Sequence, residues 1–105
     1  MTNPPNQKGM TIQQGLALAQ QHEAAGRYAD AEQIYRQILQ VEPNHPVALH
    51  LLGILGHFAG QSEAAIKLVK AAVTSAPDYV AAHNNLGNIY NDLRQLDEAE
   101  ACYRK

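Results

Sequence analysis

One interval recurs along this chain. Pro43 returns as Pro77, Gly26 as Gly60 and Gly53 as Gly87, each 34 residues later. Ala31, Ala65 and Ala99 extend the interval to a third copy, as do Leu18, Leu52 and Leu86. Five independent columns do not agree on one period by chance. A fixed period of about 20 to 50 residues marks a repeat architecture, in which each unit stacks on its neighbours to bury a continuous core.

Within each period the apolar residues follow helical spacing. The stretch HNNLGNIYND, residues 83 to 92, shows the pattern despite four asparagines. Asparagine is a mediocre helix former that prefers caps and turns. Leu86, Ile89, Tyr90 and Leu93 nevertheless fall three and four apart, while Asn84, Asn88 and Asn91 occupy another face, with Asn85 and Asp92 beside them. The stretch is expected to be an amphipathic helix with an amide-rich exposed side. Each period holds two such patterns, broken at Gly26, Gly60 or Arg94 and closed by a proline that cannot continue a helix. Helices are expected near 12 to 25, 28 to 41, 46 to 59, 62 to 75, 80 to 93 and 96 to 105, forming three helical hairpins.

This pattern resembles the tetratricopeptide repeat family, a helix-turn-helix unit with a small residue in the first helix, an alanine and an aromatic in the second, and a closing proline. The middle copy matches through Leu52, Gly53, Gly60, Ala65, Ala72 and Pro77, and the third through Leu86, Gly87, Tyr90, Ala99 and Tyr103. The first copy departs most, with Ala19 for the small glycine and His22 for the usual aromatic, but keeps Gly26, Ala31, Tyr35 and Pro43. The resemblance implies an all-α, right-handed α-solenoid. Residues 1–11 are expected to form a flexible leader and 12–105 the repeat domain, divided as 12–45, 46–79 and a truncated 80–105.

The recurring residue types have physical reasons. A glycine inside the first helix lets the second helix approach closely, at a propensity cost of about 1 kcal/mol that packing must offset. Gly26 and Gly60 suit the positive φ found where helices end, and Arg94 departs from that pattern.

Charge narrows the partners. Eight basic and ten acidic residues are scattered through the 105, for a net charge of -2, so no electrostatic footprint for nucleic acid or anionic lipid exists. The start MTNPPNQKGM has neither an apolar core nor a small-residue cleavage site, and no apolar run approaches the roughly 20 residues of a spanning helix. A single Cys102 excludes an internal disulfide and fits a reducing, cytoplasmic setting.

In the family that these repeats resemble, first helices line a concave groove that receives extended peptides or a partner's helix. The corresponding strip is Gln13, Leu16, Gln20 and Glu23, then Val47, His50, Ile54, His57 and Phe58, then Ala81, Asn84, Asn88, Asn91 and Asp92. A protein or peptide partner is therefore expected on Gln20, His50, Ile54, His57, Phe58, Asn84, Asn88 and Asn91. Carboxamides there would offer donors and an acceptor to a ligand's peptide groups; alternatively they are solvated, or Asn85 bonds across to the neighbouring repeat. Phe58 is either an anchor for a partner side chain or packing against the next repeat. One subgroup of the family grips acidic tails with groove cations, but Leu16, Gln20, Leu51, Ala81 and Asn85 stand at those places.

Rival chemistries find little support. His50 and His57 lie seven apart, about 10 Å along a helix, too far for one metal ion with nitrogen ligands near 2 Å. Ser62 and Ser75 lack a strand-turn-helix context, and Asp97, Glu98 and Glu100 cluster at a helix start, where they complement its dipole. No catalytic constellation and no cofactor are expected. The phrase AAHNNLGNIYNDLRQLDEAEACYRK resembles repeats that precede bacterial and O-linked N-acetylglucosamine transferase-like domains, so a substrate-recruiting arm of a larger enzyme is an alternative. A second alternative is self-assembly, because Ala99, Cys102 and Tyr103 of the last helix would leave an uncovered apolar seam.

Overall fold

A computed structural model describes residues 10–93, which form five α-helices and, among the described residues, no strand. They run α1 (Ile12–Ala24), α2 (Tyr28–Val41), α3 (Pro46–Phe58), α4 (Ser62–Ser75) and α5 (Val80–Asp92). Each lies within a residue of the span expected from spacing. The leader up to residue 9, the turn at Arg94, the sixth helix and its seam lie outside the described residues.

Local chemistry sets the boundaries. Thr11 opens α1 with a capping box, its hydroxyl accepting from Gln14 N at 3.1 Å while the Gln14 carboxamide accepts from Thr11 N at 2.9 Å. Pro46 occupies the first turn of α3, where its missing N–H costs nothing, and the His45 ring accepts from Ala48 N at 3.3 Å. The turns after α1 and α3 are built alike. Gly26 at φ 80° and Gly60 at φ 85° adopt the left-handed conformation. Arg27 N then donates to His22 O at 2.8 Å and Gln61 N to Gly56 O at 2.8 Å, closing a six-to-one bond over each helix end.

Pro43 and Pro77 occupy equivalent junctions. Before them, Glu42 N donates to Ile38 O and Ala76 N to Ala72 O; after them, His45 N donates to Glu42 O and Tyr79 N to Ala76 O. The same four-residue reversal thus carries α2 into α3 and α4 into α5.

The core is one column in two overlapping parts. Ile12, Leu16, Ala19, Ala31, Ile34, Tyr35 and Ile38 from the first hairpin meet Ala48, Leu52 and Leu55 of α3. Leu49, Ala65, Val69 and Ala72 meet Ala82, Leu86, Ile89 and Tyr90 of α5. Leu39 and Leu68 pack against both parts and join them. Within the middle hairpin, a Cβ on Gly53 would stand 2.6 Å from Val69 Cγ2 and 3.2 Å from Ala65 O. The bare α-carbon is what lets α3 and α4 meet at that depth. Tyr35, fully buried, donates its hydroxyl to Glu23 and so ties α2 to α1. Burial, reinforced by that carboxylate, holds the phenol far above its ordinary range.

These helices form a right-handed α-solenoid of stacked hairpins. Among the described residues, no helix is long and apolar enough to cross a membrane.

Candidate functional site

The helices α3 and α5 flank a cleft of about 290 Å³. Its walls are Ile54, His57 and Phe58 from α3 and Asn85, Asn88, Ile89 and Asp92 from α5. Their spacing by three and four turns each set to one side of its helix. Phe58 is 78% exposed beside the cleft, so among the described residues it is not packed against the next repeat. The neighbouring His57 ring lies 6.2 Å from it, tilted by 36°. On the other flank of Phe58, a second apolar hollow is lined by Tyr28, Leu55 and Ala59.

Two histidines bridge the hairpins, each reaching a residue 35 positions on. His57 donates from Nε2 to Asp92 Oδ2 at 2.8 Å, while its Nδ1 accepts from the Ser62 hydroxyl at 2.9 Å in the neutral ring. One side chain thereby joins α3, α4 and α5. Deeper, Asn85 Nδ2 donates to His50 Nε2 at 2.7 Å, which makes Nδ1 the protonated nitrogen, donating to the Tyr79 hydroxyl at 2.9 Å. The His50 and Tyr79 rings meet edge-on, 5.0 Å apart at 79°. Burial disfavours charge, so the His50 ring is held below its ordinary value and the Tyr79 phenol above its own.

This geometry sorts the strip expected from sequence. Ile54, His57, Phe58 and Asn88 come together at the cleft. Gln20, Asn84 and Asn91 are exposed on α1 and α5 but do not line it. His50 corrects the expectation of an open groove residue: only 5% of it is exposed, because both ring nitrogens are consumed in the junction beneath the cleft. Leu16, also placed on the strip, is a core residue. Asn85 takes the cross-repeat bond that was the alternative to ligand contact, while still forming part of the wall. Tyr79 escaped sequence reading altogether, since it lies in the reversal after Pro77, outside any helical pattern.

Among the described residues, no group of three or more histidine, cysteine, aspartate or glutamate side chains is placed to hold a metal ion.

Comparison with known proteins agrees with this architecture. Two family models described as tetratricopeptide repeat match residues 13–55 and 80–105, together more than half of the chain. The chain is 34% identical over 73 residues to the uncharacterized protein ycf37 of Pyropia yezoensis, covering 68% of itself and 41% of that protein. It is 30% identical over 87 residues to a probable UDP-N-acetylglucosamine–peptide N-acetylglucosaminyltransferase, SPINDLY, of Hordeum vulgare, covering 76% of itself and 9% of that protein. The chain thus spans less than half the length of these curated relatives. The second similarity agrees with the likeness of AAHNNLGNIYNDLRQLDEAEACYRK to repeats of O-linked N-acetylglucosamine transferase-like proteins. The crystal structure of MamA superposes with a TM-score of 0.81 at 16% identity, covering 90% of this chain and 55% of that one. Period, equivalent junctions, paired helices and family models converge: the chain belongs to the tetratricopeptide repeat family.

Proposed function

We propose that the chain is a protein-interaction scaffold that takes a peptide segment of its partner into the cleft between α3 and α5. The exposed ring of Phe58 beside that cleft is the observation that supports this most directly. A large apolar side chain at the rim of a concave site supplies contact area at low entropic cost, and such aromatics dominate binding energy. Ile54 extends the apolar wall, and the Asn88 carboxamide brings donors and an acceptor suited to peptide groups. Asn84, Asn91 and Gln20 would contact only a ligand that continues beyond the cleft.

A random peptide library panned on the chain tests the reading. Retained peptides should lose about fivefold or more in affinity with Phe58→Ala, since truncating an interface anchor costs over about 1 kcal/mol. They should lose less with Asn88→Ala, and nothing with Lys67→Ala on the exposed side of α4. Retention insensitive to Phe58 and Asn88 refutes it.

A second reading is favoured by the similarity to the barley transferase: the repeats recruit substrate for a larger enzyme. A parent gene without a transferase domain beyond Lys105 excludes it. Both readings suit a cytoplasmic location.

A further inference from the structure

Among the described residues lining the α3–α5 cleft, Asp92 is the one acid, and none is lysine or arginine. Its side chain is 60% exposed, against 15% for the His57 that holds it. Oδ2 accepts from His57 Nε2, and that bond fixes where the carboxylate stands. His57 is itself secured from the other side by the Ser62 hydroxyl of α4. The result is an apolar wall next to one oriented negative charge.

We infer that the cleft selects an extended segment in which an aliphatic or aromatic side chain is followed by lysine or arginine, the apolar group against Ile54 and Phe58 and the cation on the Asp92 carboxylate. This rests on the scaffold reading above and names its partner's chemistry. Charge complementarity carries it. An acidic segment would bring like charge to Asp92 with no cation among the described wall residues to offset it, whereas a basic one completes a pair. Arginine suits the site best, because its planar guanidinium fork matches carboxylate geometry better than the point charge of lysine. His57 is a positioning residue, since it acts by holding Asp92.

Peptides retained by panning on the full chain should be synthesised with their basic residue intact, as glutamine and as glutamate, then titrated by fluorescence anisotropy. The basic form should bind best to the unaltered chain, and Asp92→Asn should weaken it about two- to fivefold, as expected for one partly exposed charge pair. Asp92→Lys should reverse the order and favour the glutamate form. Asp92 is exposed, so neither variant disturbs the core, and circular dichroism checks that the helices persist. If Phe58→Ala weakens binding but the three peptide forms and Asp92→Asn are indistinguishable, the charge inference falls and the scaffold reading stands. If no peptide is retained, or neither Phe58→Ala nor Asp92→Asn matters, both fall.

Discussion

Gly53 and Gly56 lie three apart on α3, and alanine at the two positions should have opposite effects on stability. Taking glycine out of a helix interior gains about 1 kcal/mol of propensity at either site. At Gly56 nothing opposes that gain, because the new Cβ would rest at ordinary contact distance, 3.8 Å, from Ala65 Cβ and Gln61 O. At Gly53 the new Cβ would meet Val69 Cγ2 at 2.6 Å, Ala65 O at 3.2 Å and Leu68 Cβ at 3.3 Å. Val69 is fully buried and stiff at χ1, and Ala65 O belongs to the backbone of α4, so no rotamer change relieves the clash. Overpacking of this kind costs about 1–3 kcal/mol, and the backbone contact argues for the upper half. Gly53→Ala should then be net destabilising by about 1–2 kcal/mol and Gly56→Ala stabilising by up to about 1 kcal/mol. Their melting temperatures should differ by on the order of 10 °C, read by circular dichroism during thermal unfolding. Val69→Ala removes the nearest clashing atom, so its double variant with Gly53→Ala should cost less than the sum of the singles. Equal shifts of the same sign for Gly53→Ala and Gly56→Ala, or strict additivity with Val69→Ala, would refute close approach as the reason for Gly53.

Other outcomes follow from the same contacts. Thr11→Ala removes a reciprocal cap and should cost about 1 kcal/mol, seen as a lower urea midpoint. Tyr79→Phe strands the buried Nδ1–H of His50 and should cost about 1–3 kcal/mol, more than Tyr28→Phe, whose ring is 57% exposed. His50 also sets a pH dependence. Burial lowers its folded value below 6.5, so between that lowered value and 6.5 the unfolded chain binds more protons and stability increases with pH. Acidification through this interval should destabilise the native chain more than His50→Gln, measured as the difference between their unfolding midpoints. Gly60→Ala has free space around it but a φ of 85°, and should cost about 1–2 kcal/mol from backbone conformation alone.

Much of this architecture was legible in the letters because the period is local chemistry repeated. Gly26 and Gly60 close their helices by the same bonds, and Pro43 and Pro77 mark the same reversal, so helix boundaries followed from residues that act on their own backbone. The groove was legible in part. Ile54, His57, Phe58 and Asn88 could be placed on one face by spacing, but spacing does not say how deeply a position lies between two helices. His50 and His57 are seven apart on the same helix, yet one is buried and the other borders the cleft. The bonds that decide this join residues 35 apart, His50 with Asn85 and His57 with Asp92, one position past the 34-residue equivalence. Side chains on adjacent parallel helices face each other from opposite flanks, so the contacting partner is not the equivalent residue. Comparing columns at 35 as well as 34 would have found both bridges; Tyr79 carried no such signal.

The two sides of the α3–α5 junction differ in kind. Toward α4 it is held by Val69, Ala72, Ala82 and Leu86, whose contacts are non-directional. Toward the cleft it is held by the bonds of His50 and His57, which lose strength when bent. Apolar packing sets how closely the helices approach, and two imidazoles set the direction in which they are tied. A ligand that drew Asp92 away from His57 would undo one of those ties and leave the other, beneath it, in place.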